Sequence, residues 1–163
     1  MVNNTFSYEL IRKSRVNFLI DSLSKSYDCD LEELRSYNFY TNPKGKIFIS
    51  KFRVDELELE RVNAVGLYFG TLHDNDRFRL SIEGSKFIKP KKNFIKLNSE
   101  SLKFYISAEN LRKDQFEEVN VDGTSPFIIV QFEEENMGCV SFKGNEALTY
   151  VPKSRKLDLE RLF

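Results

Sequence analysis

The second half of the chain is built from short apolar runs separated by turn-forming residues, and this pattern constrains the fold more than any other feature. The runs are NFIKLN, SLKFYIS, EEVNVDG, SPFIIVQFEEEN and MGCVSFKGN, with Asn, Ser, Gly or Pro between them. Runs of this length and spacing are typical of strands in a small β-barrel or sandwich. We therefore predict that strands dominate the C-terminal half.

The first half contains helical patterns. Residues 6–27 carry apolar side chains at roughly helical spacing, which predicts an amphipathic helix. Asp30 followed three residues later by Glu33 is the acidic form of a capping box, so a short second helix is predicted to begin there. Residues 52–62 also show a helical pattern.

A first pair of strands is predicted within residues 37–50, around a turn at Pro43–Gly45. Alternation along these strands makes Phe39, Ile47 and Ile49 the candidates for the inward face. The first half is thus predicted to combine helices with a sheet.

A second pair of strands is predicted within residues 66–88, where an aromatic-rich run and a polar turn precede a returning run. Phe78 and Leu80 in the returning strand alternate with Arg77 and Arg79, so the two arginines lie on one face of the strand. If the apolar pair is buried, both arginines face outward or across an interface. We expect them to brace the junction between two domains or to pair with acidic neighbours.

The pattern changes from mixed helix and strand to strand alone near the sequence KPKKN. At 163 residues the chain is long enough for one domain or two small ones. We predict an α+β protein with a boundary at about residue 89, which separates an N-terminal α+β domain from a C-terminal β domain.

The charges are balanced overall and clustered locally. A net charge of zero removes the simplest argument for nucleic-acid binding, which is a strongly basic domain. Two basic clusters flank the acidic stretch 109–135, and they form one patch only if the fold brings them together. Alternatively, the first cluster balances the acidic stretch and keeps the junction soluble. The clusters are Lys86, Lys89, Lys91, Lys92 and Lys96, and Lys153, Arg155 and Lys156.

Residues suited to catalysis or metal binding are sparse. His73 is the only histidine and lies in a polar turn, where an exposed residue without a chemical role is expected. Cys29 and Cys139 are far apart and match no ligand spacing. No apolar run approaches the length of a bilayer-spanning helix. We predict an intracellular, unanchored protein without catalytic activity, metal or cofactor.

Two segments resemble a known family. The segments are VGLYFGTLHDNDRFRLSIEGSKFI and FIIVQFEEENMGCVSFKGN. They are similar to the Nip-seven family of ribosome biogenesis factors, which joins an N-terminal α/β pre-PUA domain to a C-terminal PUA pseudo-barrel. The resemblance implies a pre-PUA-like domain over residues 1–88 and a PUA-like RNA-binding domain over residues 89–163. RNA methyltransferases of the Nol/Nop/Sun group carry a related module.

The resemblance also implies a non-catalytic RNA-binding protein that assists ribosome biogenesis, in pre-ribosomal RNA processing or subunit assembly. Its partners are then RNA and ribosome assembly or RNA-processing proteins, in the cytoplasm or, in a eukaryote, the nucleolus. Lys143 matches the lysine that follows the hydrophobic-Gly strand of the family. The basic cluster of the tail is the next candidate for RNA contact, and lysines of the junction form a second patch. These candidates are Lys153, Arg155 and Lys156, and Lys86, Lys91 and Lys92.

Two other functions fit the same residues. The chain could be a free-standing subunit that delivers RNA to a separate methyltransferase or pseudouridine synthase. It could also be a protein adaptor that uses its acidic stretch, residues 109–135, against a basic partner. The aromatic residues Phe104, Tyr105, Phe127 and Phe132 are predicted to belong to the core rather than to stack on bases.

Overall fold

The structure is a computed structural model, which describes residues 8–56 and 66–152. Its first sheet has five antiparallel strands in sequential order. The two predicted strand pairs are both present in it. The strands are β1 Glu9–Leu10, β2 Asn38–Thr41, β3 Lys46–Ser50, β4 Leu67–Leu72 and β5 Phe78–Leu80.

Helix α1, Lys13–Tyr27, covers one face of this sheet. Its buried residues recur at helical spacing and pack against strand residues that alternation predicted to face inward, which are Phe39, Ile47 and Ile49. The helix begins later than the sequence pattern predicts, because Glu9 and Leu10 pair with β2 as a short strand. The second predicted helix is a 3₁₀ helix, Glu32–Ser36, whose Glu32 N–H donates to the Asp30 carboxylate.

The second sheet has six strands in the order β7-β11-β10-β9-β6-β8. Strands β6 and β9 are parallel, and the other neighbours are antiparallel. This sheet agrees with the strand-rich pattern of the C-terminal half. The strands are β6 Phe94–Leu97, β7 Leu111–Arg112, β8 Phe116–Asn120, β9 Ile128–Phe132, β10 Glu135–Lys143 and β11 Glu146–Thr149.

One predicted strand of this half is wrong. Residues 101–107 lie mostly in helix α3, Ser99–Ile106. The Asn98 side chain accepts from the Ser101 N–H, and the Ser101 hydroxyl accepts from the Asn98 N–H, so a complete capping box starts the helix. None of the helices in the described part of the chain combines the length and apolar character that crossing a bilayer requires.

The two sheets lie on either side of residue 89, but the first hydrophobic core crosses that position. Phe127, Ile129 and Cys139 from the second half belong to the same buried cluster as helix α1. A second cluster lies between α3 and the second sheet. The boundary at residue 89 remains a prediction, and apolar contacts join the segments on its two sides.

A buried hydrogen-bond network also joins the halves. The Asn136 side chain, 8% exposed, donates to the carbonyl oxygens of Ser85 at 2.7 Å and Ile88 at 2.5 Å. Its carbonyl oxygen accepts from Gln131 at 2.8 Å, so the amide is satisfied at both ends. Because Ser85 ends helix α2, Ile82–Ser85, this amide holds α2 against β10. We refer to these contacts as the Asn136 joint.

Candidate functional site

A row of polar side chains crosses three strands of the first sheet. Lys46 on β3 pairs in register with Thr71 on β4, which pairs with Arg79 on β5. Residues in register on neighbouring strands share a face, and two strand spacings separate Lys46 from Arg79 by about 10 Å. The neighbours Ile47 and Leu80 are buried in the core. The sheet therefore fixes two cations on the face opposite helix α1.

Both cations of this row lie beside aromatic rings. The Arg79 guanidinium carbon is 4.1 Å from the centroid of the Tyr150 ring, and Lys46 Nζ is 5.5 Å from the centroid of the Tyr68 ring. The Tyr150 hydroxyl is 2.7 Å from the Ser141 hydroxyl, which fixes the ring. A guanidinium stacked on a ring keeps the N–H groups at its edge available for other acceptors.

Lys44 extends this group from the turn between β2 and β3. The Asn42 side-chain oxygen accepts from the N–H groups of Lys44 and Lys46, each at 3.0 Å. Gly45, with φ of +77°, brings the turn against β4, where the Leu72 N–H donates to its carbonyl at 2.9 Å. The backbone that carries both lysines is thus fixed.

These side chains line a cleft of about 420 Å³ between the two sheets, which we call the inter-sheet cleft. Tyr105 lies in its wall and donates to the Met137 carbonyl. Gly138 has a φ of +107°, and a side chain there would come within 3.0 Å of the Tyr105 hydroxyl. The polar and aromatic residues that line the cleft are Lys44, Lys46, Tyr68, Thr71, Arg79, Ser81, Glu83, Tyr105 and Tyr150.

The inter-sheet cleft carries an excess of positive charge. The described residues of its lining include three cations and one carboxylate, that of Glu83. Within residues 8–56 and 66–152, none of Lys44, Lys46 and Arg79 forms an ion pair with a carboxylate. The cleft can therefore attract an anion that it surrounds with donors and rings.

The junction lysines of the sequence analysis are in a different setting. Lys92 Nζ is 2.8 Å from the Asp122 carboxylate, and its hydrogen bond holds the pKa of that carboxyl well below its usual range. Lys86 Nζ is 3.9 Å from Glu135. Lys91 is exposed and lines one groove with Lys86, together with acidic residues of the first half. Those acidic residues are Asp30, Glu32 and Glu33.

Lys143 lies apart from the junction lysines. It is exposed at the end of β10, opposite Glu146. Lys86 contacts Glu135 at the start of the same strand, and a strand of this length spans roughly 25 Å. Lys143 and Lys86 therefore do not form one patch. The tail candidates Lys153, Arg155 and Lys156 lie outside the described residues.

Sequence reasoning did not propose Lys44, Lys46, Tyr68 or Tyr150, and it expected Arg79 to brace a domain junction or to pair with acidic neighbours. Arg79 contacts the Tyr150 ring of the second half and, among the described residues, no carboxylate. The alternation of Lys46 with Ile47, and of Arg79 with Leu80, was a visible signal that both cations face away from the core. The strand register that aligns Lys46 and Arg79 with Thr71 of β4 could not be read from the sequence.

His73 is half-buried, not the exposed turn residue that the sequence predicted. Its ring centroid is 5.7 Å from that of Phe127, and its Nε2 atom is buried without a hydrogen-bond partner among the described residues. Burial lowers the pKa of His73, and the charges of Arg79 and Arg77 lower it further. The charge of Arg79 is thus one of the causes that lower the pKa of His73.

The two cysteines and the acidic residues offer no metal site in the described part of the chain. There, no three His, Cys, Asp or Glu side chains come together as ligands would. Burial raises the pKa of the Cys139 thiol to about 12, so this side chain is a neutral thiol at neutral pH.

Comparison with known proteins bears on the fold. No protein-family profile matches the sequence, and no curated protein matches it. Among solved structures, the chain is similar to a conserved PUA domain protein from Thermoplasma acidophilum, with a TM-score of 0.60 and 11% sequence identity. The match covers 96% of this chain and 99% of that chain. At this identity the likeness identifies the fold and not the family: the chain has a mixed α+β, PUA-type fold.

Proposed function

We propose that the protein binds RNA through the inter-sheet cleft and has no catalytic activity of its own. The observation that carries this proposal is the row of Lys46, Thr71 and Arg79, whose cations contact aromatic rings and, among the described residues, no carboxylate. Phosphate oxygens accept charge-assisted hydrogen bonds from such cations. The rings add faces on which a base or a guanidinium stacks.

The PUA-type fold supports this proposal, because the fold takes its name from two classes of RNA-modifying enzyme. The cleft also accounts for RNA binding by a protein whose net charge is zero. RNA affinity depends on the local excess of cations near the phosphates, and the cleft has such an excess.

The RNA is proposed to be a ribosomal precursor, whose processing or assembly the protein assists in the cytoplasm or nucleolus. This part of the proposal is supported by the resemblance of residues 65–88 and 127–145 to the Nip-seven family. Crosslinking the protein to RNA in its native cell and sequencing the bound RNA tests it. Ribosomal precursor among the bound RNA is the expected result, whereas transfer RNA alone would favour a targeting subunit for an RNA-modifying enzyme.

Direct binding is tested with the purified full chain. We expect labelled RNA to bind with an affinity that falls as salt rises, by a logarithmic slope of about 0.7 for each phosphate contacted in a single strand. Fluorescence anisotropy over a series of potassium chloride concentrations gives this slope. Absence of binding at low salt would refute RNA binding altogether, whatever the cell contains.

A further inference from the structure

Strand β8 is one of the two edges of the second sheet, and β7 is the other. In the described part of the chain it pairs only with β6. It has five residues, whereas the other edge strands among the described residues, β1, β5 and β7, have two or three. An edge strand presents unpaired N–H and C=O groups along its outer side, and a longer edge offers more of them. β8 is thus the largest open edge of the described structure.

The apolar face of the second core continues onto this edge. Val119 lies in register with Ile95, which is fully buried in the second core, so both side chains share one face of the sheet. Val119 is nevertheless 47% exposed, and Val121 just beyond it is 39% exposed. A further strand paired with the outer side of β8 would cover the exposed part of Val119, just as β6 covers the part that faces the sheet. The edge therefore offers backbone groups and an uncovered apolar surface together.

The charge of the edge indicates which strand would fit. Glu117 and Glu118 lie in the middle of β8, and Glu118 is 3.3 Å from Lys96 on the neighbouring strand. Glu117 forms no ion pair among the described residues. A second copy of the chain paired antiparallel along β8 would bring these glutamates together, and like charges on facing strands are destabilising. Lysine or arginine on an added strand would instead complement them.

We propose that β8 is a docking site for an extended, lysine- or arginine-containing segment of a partner protein, which adds to the second sheet as a seventh strand. Backbone hydrogen bonds supply affinity in this mode of recognition, and side chains supply specificity. Here the partner places apolar side chains over Val119 and basic ones within reach of Glu117 and Glu118, of which Glu118 faces away from Val119. This surface is separate from the inter-sheet cleft, and its carboxylates disfavour RNA.

Hydrogen exchange on the full chain tests the proposal. The probe is a short synthetic peptide in which lysine and valine alternate, and its control has the same charge with proline in place of each valine. We expect the first peptide to slow exchange of the backbone amides of residues 116–121 by about tenfold or more, since paired amides exchange only on opening. The proline peptide lacks the N–H at every second residue and resists an extended ladder, so it should leave exchange unchanged.

Variants test the same site independently by anisotropy of the labelled peptide. Glu117→Lys and Val119→Lys alter exposed side chains, and each should weaken binding by about tenfold, or 1.4 kcal/mol. Glu33→Lys, an equal charge change at an exposed site in the first half, is the matched control and should leave affinity within about twofold. Circular dichroism verifies that each variant is folded.

Three results would overturn the proposal. The first is unchanged exchange in β8 at peptide concentrations that saturate anisotropy. The second is an equal loss of peptide affinity in Glu117→Lys and Glu33→Lys, which would mean that the peptide is attracted by charge alone and does not bind at β8. The third is a dimer in sedimentation that Val119→Lys dissociates, since the edge would then belong to a second copy.

Discussion

Two basic regions of the molecule differ in what surrounds their charges. The junction segment is rich in lysine, yet three of its lysines lie beside carboxylates that come from distant positions in the chain. The inter-sheet cleft has fewer cations, and its partners are aromatic rings. The junction pairs are Lys86–Glu135, Lys92–Asp122 and Lys96–Glu118, against Lys46–Tyr68 and Arg79–Tyr150 in the cleft.

The density of basic residues in a sequence is therefore a poor guide to the charge that a ligand meets. Surface ion pairs contribute only about 0–1 kcal/mol to stability, but they cancel the local potential that steers an anion. A ring beside a cation leaves its charge uncancelled. Variants in both regions test this comparison.

The comparison requires the two sheets to keep their relative position, and the Asn136 joint is expected to hold it. Asn136→Ala removes the donor to two buried carbonyl groups, those of Ser85 and Ile88. Leaving buried groups unsatisfied should lower the free energy of unfolding by about 3 kcal/mol. Urea titration measures this change. Asn120→Ala is the control. It removes an exposed hydrogen bond from the Asn120 side-chain amide to the Lys91 carbonyl, and it should lower the free energy of unfolding by less than about 1 kcal/mol.

Matched neutralisation compares the two regions directly. Lys46→Gln with Arg79→Gln should lower RNA affinity by about 30-fold, or 2 kcal/mol, because both cations face the cleft. Lys86→Gln with Lys92→Gln removes the same charge from residues that already lie beside carboxylates, and should lower it by less than about threefold. Fluorescence anisotropy with one RNA and one salt concentration measures both. A larger loss from the junction pair would reverse the comparison.

The aromatic partner is tested through Tyr150. Tyr150→Leu keeps an apolar side chain but removes the ring that lies 4.1 Å from the Arg79 guanidinium. We expect RNA affinity to fall by about fivefold, equivalent to about 1 kcal/mol, since Arg79 loses its preferred orientation. Tyr150→Phe keeps the ring and is expected to bind RNA within about twofold of the wild type. If Tyr150→Phe lost as much as Tyr150→Leu, the hydroxyl rather than the ring would matter.

His73 lies where the charge of Arg79 helps to lower its pKa, and replacing it is expected to have a small effect on stability. Burial and the two neighbouring arginines lower its pKa, so the unfolded chain binds the proton more tightly. The contribution of His73 to stability is therefore complete above about pH 6.5, and it is lost as the pH falls through the lowered pKa. His73→Gln should flatten the dependence of stability on pH in this window, as thermal unfolding would record.

The pKa of His73 also distinguishes RNA binding in the cleft from RNA binding at the junction lysines. Phosphate bound at Arg79 would offset the arginine charge and raise the pKa of His73, whereas RNA bound at the junction lysines would leave that pKa unchanged. Because the chain has one histidine, its imidazole signals in an NMR titration are unambiguous. An unchanged pKa in saturating RNA would locate the RNA elsewhere.

Local patterns predicted much of the fold. Alternation identified Phe39, Ile47 and Ile49 as buried, because a strand places every second residue on the same face. The same kind of pattern misassigned residues 101–107, where Leu102 and Tyr105 are also compatible with helical spacing. The cap at Asn98 decides between the two structures, since it satisfies N–H groups that only a helix leaves open.

The candidate site was less predictable, because it depends on contacts between distant segments. Lys46 and Arg79 are brought together only by their common pairing with Thr71. The carboxylates of Asp122 and Glu135 reach Lys92 and Lys86 across tens of residues, so the sequence showed the lysines without their partners. Alternation predicted the faces, and the strand register then determined the site.

The hydrophobic core that crosses residue 89 has a consequence for how the chain unfolds. A fragment ending there would retain helix α1 but lose Phe127, Ile129 and Cys139 from the cluster against which it packs. The exposed apolar surface would favour aggregation over an independent fold. We therefore expect the intact protein to melt in one transition, with coincident curves by circular dichroism and tyrosine fluorescence. The two halves would then have to be inherited, expressed and degraded together.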